Sequence, residues 1–530
     1  MGATRLGAIA VGLAGFLAAA PAYAQSAGGS DAEIALLKQQ LRMLEQKLDK
    51  LQKQTNTNTE AAAAATAKAK AADAKAARVA SAPPLIPVKG PVAPPDVIVK
   101  MPDNRPTICT ADEQNCIAIT SRVHYDVGGY DYRPNSAGTV PQKLDSGQNL
   151  RRARIGLIGK FFGDWNYALI YDFGGSSDGF GGAAPGSLPG GGTSGIENAY
   201  LSYTGFKPFG GKSALEIGVF DLLYTLDEST ASNDILFMER SSATNIATNI
   251  AAGDFRSAVG GRWWNDTLWV GAYLTGPTTG AIHSASSVTP PGTSEQVGAT
   301  ARIAGQIISG DGYSLHLGGD AEWLITPPRN FVTNTQSLTL ADRPELRIDP
   351  TNLISAAIAN TSGAQVYSVE AAATYGGFFF QSEYYWYNVE RDANTSVPAF
   401  GAPSAKFQGG YAQAAYTLTG ETRTYNPSTA SYNGIRPKNP FELNGSGWGA
   451  WEIGGRISQI DLNDQLGTPF GIAAGRQTVY TAGLNWYVNN NIRFMLNYLH
   501  GELNKQASST STVDVGSKFD AIAMRTQIKF

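Results

Sequence analysis

Leu150–Asp172, reading LRRARIGLIGKFFGDWNYALIYD, decides the fold. Successive side chains of an extended chain point to opposite faces, so Arg152, Arg154, Gly156 and Lys160 share one side while Ala153, Ile155, Leu157, Gly159 and Phe161 share the other. Gly163 and Asp164 turn the chain. On the return, Trp165, Tyr167, Leu169, Tyr171 and Phe173 lie opposite Asn166, Ala168 and Asp172. The pair is a hairpin with one apolar, aromatic-ended face and one charged face, as a membrane-spanning strand pair needs when its outside meets lipid and its inside meets water.

The same construction recurs at Trp263–Leu274, Val297–Trp323, Val366–Tyr387 and Thr478–Leu499, each around a turn rich in Gly, Asn or Asp. Short turns on one side and long loops on the other predict an all-β, 16-stranded antiparallel transmembrane barrel. Its strands are expected near 121–132, 150–162, 164–173, 196–206, 214–221, 256–264, 267–275, 296–308, 312–323, 366–375, 378–390, 407–418, 448–461, 476–488, 492–501 and 518–530. An even number suits closure. One connection breaks the pattern: 419–447 should be a short turn and is a long polar loop, so either strands extend into it or the register slips there. The last strand alternates Ile522, Met524, Ile528 and Phe530 against Arg525, Gln527 and Lys529.

Composition agrees with this reading. Only 16% of residues are charged against about 25% in ordinary soluble domains, while there are 60 Gly, 23 Tyr and 9 Trp. Mean hydropathy is nonetheless negative at −0.18, because the lumen face of each strand offsets its lipid face. A net charge of −3 argues against nucleic acid as a partner.

Upstream of the barrel, residues 1–24 read as a signal peptide: Arg5 precedes an apolar run from Leu6 to Ala20, and Ala22 and Ala24 offer the small residues of a cleavage site. Residues 25–56 read as a coiled coil, with Ile34, Leu37, Leu41, Leu44, Leu48 and Leu51 at steps of 3 and 4 forming its seam; dimer and trimer stay open. An Ala/Lys-rich and then Pro-rich linker follows over 57–106. The entry segment 107–120 carries Cys109 and Cys116, with six residues between them, and predicts a local disulfide in an oxidising compartment. The four histidines, His124, His283, His316 and His500, are too scattered for a metal site, and no metal or cofactor is expected.

Enzymatic motifs fail. Gly205–Ser213 (GFKPFGGKS) looks like a phosphate-binding loop, but its glycine spacing is off by one and strand alternation follows where a helix should. The chain is therefore not expected to be an enzyme, although hydrolysis in the outer membrane is a reading that an ester substrate would test.

Five segments carry a resemblance: Leu150–Asp172, Ser232–Arg240 (SNDILFMER), Asp342–Arg347 (DRPELR), Leu418–Arg423 (LTGETR) and Gly483–Tyr487 (GLNWY). In this order, over about 150–530, they resemble the phosphate-selective porins of the O and P type. The resemblance implies a trimeric barrel in the bacterial outer membrane, with loops folded inward and arginines descending the pore wall. An arginine at lipid mid-plane costs about 2–4 kcal/mol, so alternation assigns Arg152, Arg154, Lys160, Arg256, Arg262, Arg302, Arg456, Arg493, Arg525 and Lys529 to the lumen, joined by Arg240 from loop 222–255. Arg152, Arg154 and Arg240 are the strongest candidates for an anion constriction. Inward Asp172, Glu216, Asp320, Glu322, Glu370, Glu383 and Glu452 are positioned to neutralise many of them. No lysine lies between Lys212 and Lys406, where both constriction loops fall, which departs from phosphate-selective relatives and makes a general small-anion pore an equal reading. The partners expected are outer-membrane lipid, small anions, a homotrimer of this chain and, through the coiled coil, peptidoglycan. An envelope tether with non-selective diffusion is the alternative.

Overall fold

The computed structural model describes residues 97–530 except 136–142, 175–194, 254–255, 279–295, 331–334 and 393–403, together with Gln46, Asp49, Gln52 and Lys53. The signal, the coiled-coil seam and most of the linker lie outside the described residues.

Two short strands come first, β1 (Val97–Lys100) and β2 (Thr107–Thr110). Nine strands then begin the wall: β3 (Cys116–Pro134), β4 (Gly147–Phe161), β5 (Trp165–Asp172), β6 (Gly195–Tyr203), β7 (Lys212–Phe220), β8 (Arg256–Trp264), β9 (Leu268–Thr278), β10 (Val297–Gly310) and β11 (Tyr313–Thr326). The loop after β11 holds β12 (Arg329–Asn330), β13 (Thr335–Asp342) and β14 (Ile354–Ala359). The wall resumes with β15 (Thr361–Tyr375), β16 (Phe378–Arg391) and β17 (Ala405–Thr417); the next loop holds β18 (Tyr425–Asn426) and β19 (Ser431–Tyr432). It ends with β20 (Ala450–Asp464), β21 (Ile472–Tyr487), β22 (Ile492–Asn504) and β23 (Ser517–Lys529). The main sheet holds 18 strands; β1 and β2 stand outside the ring, leaving sixteen. β23 pairs with β3 from Ser517↔Pro134 to Lys529↔Arg122, and the barrel is closed.

Three differences from the sequence reading have physical causes. The end of the Pro-rich linker is a strand, because Val97, Ile98 and Val99 form a β-branched run that pairs with β2. The wall begins at Cys116 rather than Ser121, since β3 keeps pairing with β4 down to Cys116↔Lys160. Neither outcome expected at 419–447 occurs in the wall: β17 pairs directly with β20, from Gln408↔Asp461 to Thr417↔Glu452, and the part of the loop that holds Tyr425, Ala430 and Tyr432 folds into the barrel, while Leu443 stays exposed.

Two further loops enter from the opposite end. The segment after β7 contains α1 (Leu226–Ser229) and α2 (Ser242–Ala251). Ser241 caps α2 by accepting from the Thr244 amide at 3.2 Å. Ala243, Ile246, Ala247 and Ile250 recur at helical spacing, are buried, and pack with Leu340, Leu346 and Ile354 against inward Tyr385, Tyr387, Leu499 and Phe519. Each isoleucine so buried contributes about 1.5–3 kcal/mol, so the hydrophobic core lies inside the barrel, between loop and wall. The wall makes room with glycine: a Cβ at Gly483 would stand 2.9 Å from the Phe237 ring, and one at Gly454 3.1 Å from Leu236.

Candidate functional site

The inward face of β23, β3 and β4 carries a cross-strand row of cations. Lys529 lies opposite Arg122, and Arg122 lies opposite Arg154. Directly opposed side chains of neighbouring strands have Cβ atoms about 4.5–5.5 Å apart, where like charges repel. Each member of the row has a polar partner. Lys529 Nζ donates to Asp234 at 2.7 Å, Arg122 donates to the Ser232 hydroxyl at 2.6 Å, and Arg154 donates to Asp172 at 2.7 Å and also pairs with Glu197.

The next rung is Gln527, His124 and Arg152. Arg152 is 3% exposed; among the described residues no carboxylate reaches it at ion-pair distance, and its Nε and Nη1 have no hydrogen-bond partner. A buried polar atom left unsatisfied costs about 1–3 kcal/mol, more when charged. Beyond it Arg525 makes a bidentate pair with Asp126, 2.7 Å at both contacts, and reaches Glu239 at 2.6 Å. Arg151 also turns inward, donating to Glu239 at 2.9 and 3.1 Å, although strict alternation puts it on the lipid face. The register shift between His124 and Tyr125 explains this: a bulge at Arg151 places two consecutive arginines in the lumen.

The remaining residues of the anticipated anion path hold loops and wall. Arg240 donates to the carbonyls of Asp227, Glu228 and Thr230 and clamps its own loop. Arg256 donates to the Ala252 carbonyl at 2.7 Å at the end of α2. Arg262 pairs with Glu216 at 3.3 Å and lies over the Trp264 ring. Arg302 pairs with Glu370 and Asp320. Arg456 pairs with Glu345 at 2.5 Å. Arg493 donates to the carbonyls of Asn233, Ile235 and Leu236. Lys160 stands beside Cys109 and Cys116, which are joined in a disulfide, at the end with the short turns.

A cavity of about 290 Å³ runs along the row of cations. Arg122, Arg154, Lys529, Glu197, Asp221 and Asp234 line it, and it extends to Asp103, Arg105, Arg436 and Asn491 at the short-turn end. Of the lumen cations anticipated from alternation, Arg154 and Lys529 line this cavity. Sequence reasoning passed over Arg122, although alternation from Ser121 puts it on the face of His124 and Asp126. It had no means of locating Arg151, because a bulge leaves no periodic mark.

A closed ring of sixteen strands with an apolar outside, charged lumen and inward loops defines an outer-membrane porin. The profile described as phosphate-selective porin O and P matches residues 117–530, and the chain belongs to that family. Porin O of Pseudomonas aeruginosa is 23% identical over 442 residues, covering 79% of this chain and 90% of that one. An uncharacterised protein of Caulobacter vibrioides is 27% identical over 470 residues, covering 88% and 83%. Among solved structures, OmpT of Vibrio cholerae aligns at 10% identity and a TM-score of 0.43 over 79% of this chain and 98% of that one.

Proposed function

We propose that this chain is a passive porin for small anions, phosphate among them, that pass along the inward face of β23, β3 and β4. The supporting observation is the row Lys529, Arg122 and Arg154, continued by the unpartnered Arg152. In a narrow, low-dielectric passage a ladder of cations lowers the free energy of an anion that has shed part of its water, and guanidinium groups offer paired donors to oxyanions. The barrel as a whole is not basic, so the preference rests on this local arrangement. The two loops that enter from the long-loop end, after β7 and β11, supply no lysine, which favours a general anion path over a dedicated phosphate site.

The test is the zero-current potential of the purified protein in a planar bilayer under a KCl gradient, then titration of phosphate into chloride. Anion selectivity with block of chloride current by phosphate supports a phosphate site; selectivity without block supports a general anion porin. Cation selectivity overturns the reading, and means that Glu197, Asp221 and Asp234 dominate the cavity.

The short-turn end is read as periplasmic and the chain as a homotrimer, supported by the family resemblance and by the seam at Ile34–Leu51. Deletion of 25–56 tests the tethering reading: loss of peptidoglycan association with unchanged conductance assigns that segment to the cell wall.

A further inference from the structure

The family profile begins at residue 117, and the segment before it forms part of the pore mouth. β1 pairs with β2 from Val97↔Thr110 to Lys100↔Thr107, and β2 pairs with the first residues of β3, from Thr107↔Ala118 to Cys109↔Cys116. The disulfide Cys109–Cys116 fastens this hairpin to the wall below the point where β23 ends. Its turn, Met101–Pro106, reaches the β21–β22 turn and the loop between β17 and β20. Asn104 donates to the Asn491 side-chain oxygen at 2.6 Å, Asn491 donates to the Asp103 carbonyl at 3.3 Å, and Asp103 pairs with Arg436 at 3.0 Å. Asp103 and Arg105 thereby enter the lining of the cavity that holds the cation row.

Elsewhere at this mouth Arg436 is paired with Asp103, Lys529 with Asp234 and Arg154 with Asp172 and Glu197, Arg122 is bonded to the Ser232 hydroxyl, and Asp221 joins the lining. Among the described residues the Arg105 side chain has no ion pair and no hydrogen bond, and its Nε is shielded from solvent without a partner. We propose that Arg105 is a selectivity-determining residue: it gives the mouth a positive charge held in no ion pair, free to draw small oxyanions and carboxylates toward the cation row, and the disulfide holds it in place. The inference rests on the anion-porin reading and adds to it a second point of selection, built from residues outside the family's matched region. A single charge in a confined mouth changes the local concentration of permeant ions, an effect that salt screens over about 10 Å at 0.1 M.

The test uses the full-length protein in planar bilayers under a dilute KCl gradient. Arg105→Gln is expected to lower the anion-over-cation permeability ratio about twofold and Arg105→Glu to lower it further. Lys207→Glu, the same charge change on an exposed turn away from the cavity, is expected to leave it unchanged. Replacing both Cys109 and Cys116 by Ser should shift the ratio toward that of Arg105→Gln, and adding Arg105→Gln to that pair should change little more, as coupled sites do. Wild-type cation selectivity would remove the reading on which the inference rests. An anion-selective wild type with both Arg105 variants unchanged would overturn the inference itself, and a serine pair indistinguishable from wild type would overturn the role of the disulfide.

Discussion

Arg302 on β10 and Glu370 on β15 form a buried ion pair at 2.8 Å across the intervening β11, and the same guanidinium joins the two loops that meet inside the barrel. Its Nη1 donates to Ser229 at 2.7 Å and to the Thr429 carbonyl at 2.9 Å, and its Nη2 donates to the Ala430 carbonyl at 2.8 Å. Ser229 belongs to the loop entering from the long-loop end, and Thr429 and Ala430 to the one entering from the short-turn end. His316 adds a second tie, with Nε2 2.8 Å from Glu370 and Nδ1 3.0 Å from the Tyr425 hydroxyl.

Removing one partner of a buried pair leaves the other uncompensated, at a cost of about 3–5 kcal/mol. Arg302→Ala is therefore expected to lower stability by that amount in urea titrations followed by heat-modifiable gel mobility, and to raise single-channel conductance as both loops lose their shared post. Lower stability with unchanged conductance would assign Arg302 to folding alone.

Arg152 should behave in the opposite way. It has no carboxylate to abandon, so Arg152→Gln is expected to leave stability unchanged or raise it by about 1 kcal/mol while reducing anion selectivity and phosphate block. Arg240→Gln is the contrast. Losing donors to three loop carbonyls should destabilise by about 1–3 kcal/mol with a smaller effect on selectivity. Equal selectivity losses in the two variants would deny Arg152 its special place.

At the cavity, Asp234 is the counter-charge of Lys529, 2.7 Å away. Asp234→Asn keeps a hydrogen-bond acceptor and removes the charge, so the anion-over-cation permeability ratio should rise about twofold. A ratio that stays constant would show that this part of the cavity is not on the conducting path.

Close packing of loop against wall gives a steric test. Gly483→Val places methyl groups where the Phe237 ring now lies, and overpacking of this kind costs about 1–3 kcal/mol. Loop Ser232–Arg240 should shift, altering conductance, whereas Gly376→Val, at a turn whose glycine has open space but a φ of +56°, should cost stability and leave conductance as it was.

Much of the barrel was legible because a strand's two faces meet different solvents, and that contrast survives in the sequence wherever the pairing is regular. Leu150–Asp172 illustrates it, with Leu169 outward and Asp172 inward as alternation requires. Arg151 escaped because a single bulged residue reverses the parity. Ala243, Ile246, Ala247 and Ile250 do carry helical spacing, but inside a segment read as loop the signal is only four residues long. Whether inward Leu499 and Phe519 face water or protein depends on loops hundreds of residues away, and nothing in their own strands records it. The pairing of each arginine is of the same kind: alternation places Arg302 in the lumen, and only the fold brings Glu370, Ser229 and Ala430 around it.

The seam between β23 and β3 governs how such a chain can be made. The Ser121 amide donates to the Phe530 carbonyl at 2.9 Å and the Phe530 amide to the Ser121 carbonyl at 3.1 Å, so the first strand of the wall has its edge satisfied only by the sixteenth. Until then both ends of the sheet are open templates for pairing with other chains. Closure is thus a late event, reached only once β23 lies beside β3, and it calls for an escort that keeps a nearly whole but unsealed sheet from joining its neighbours.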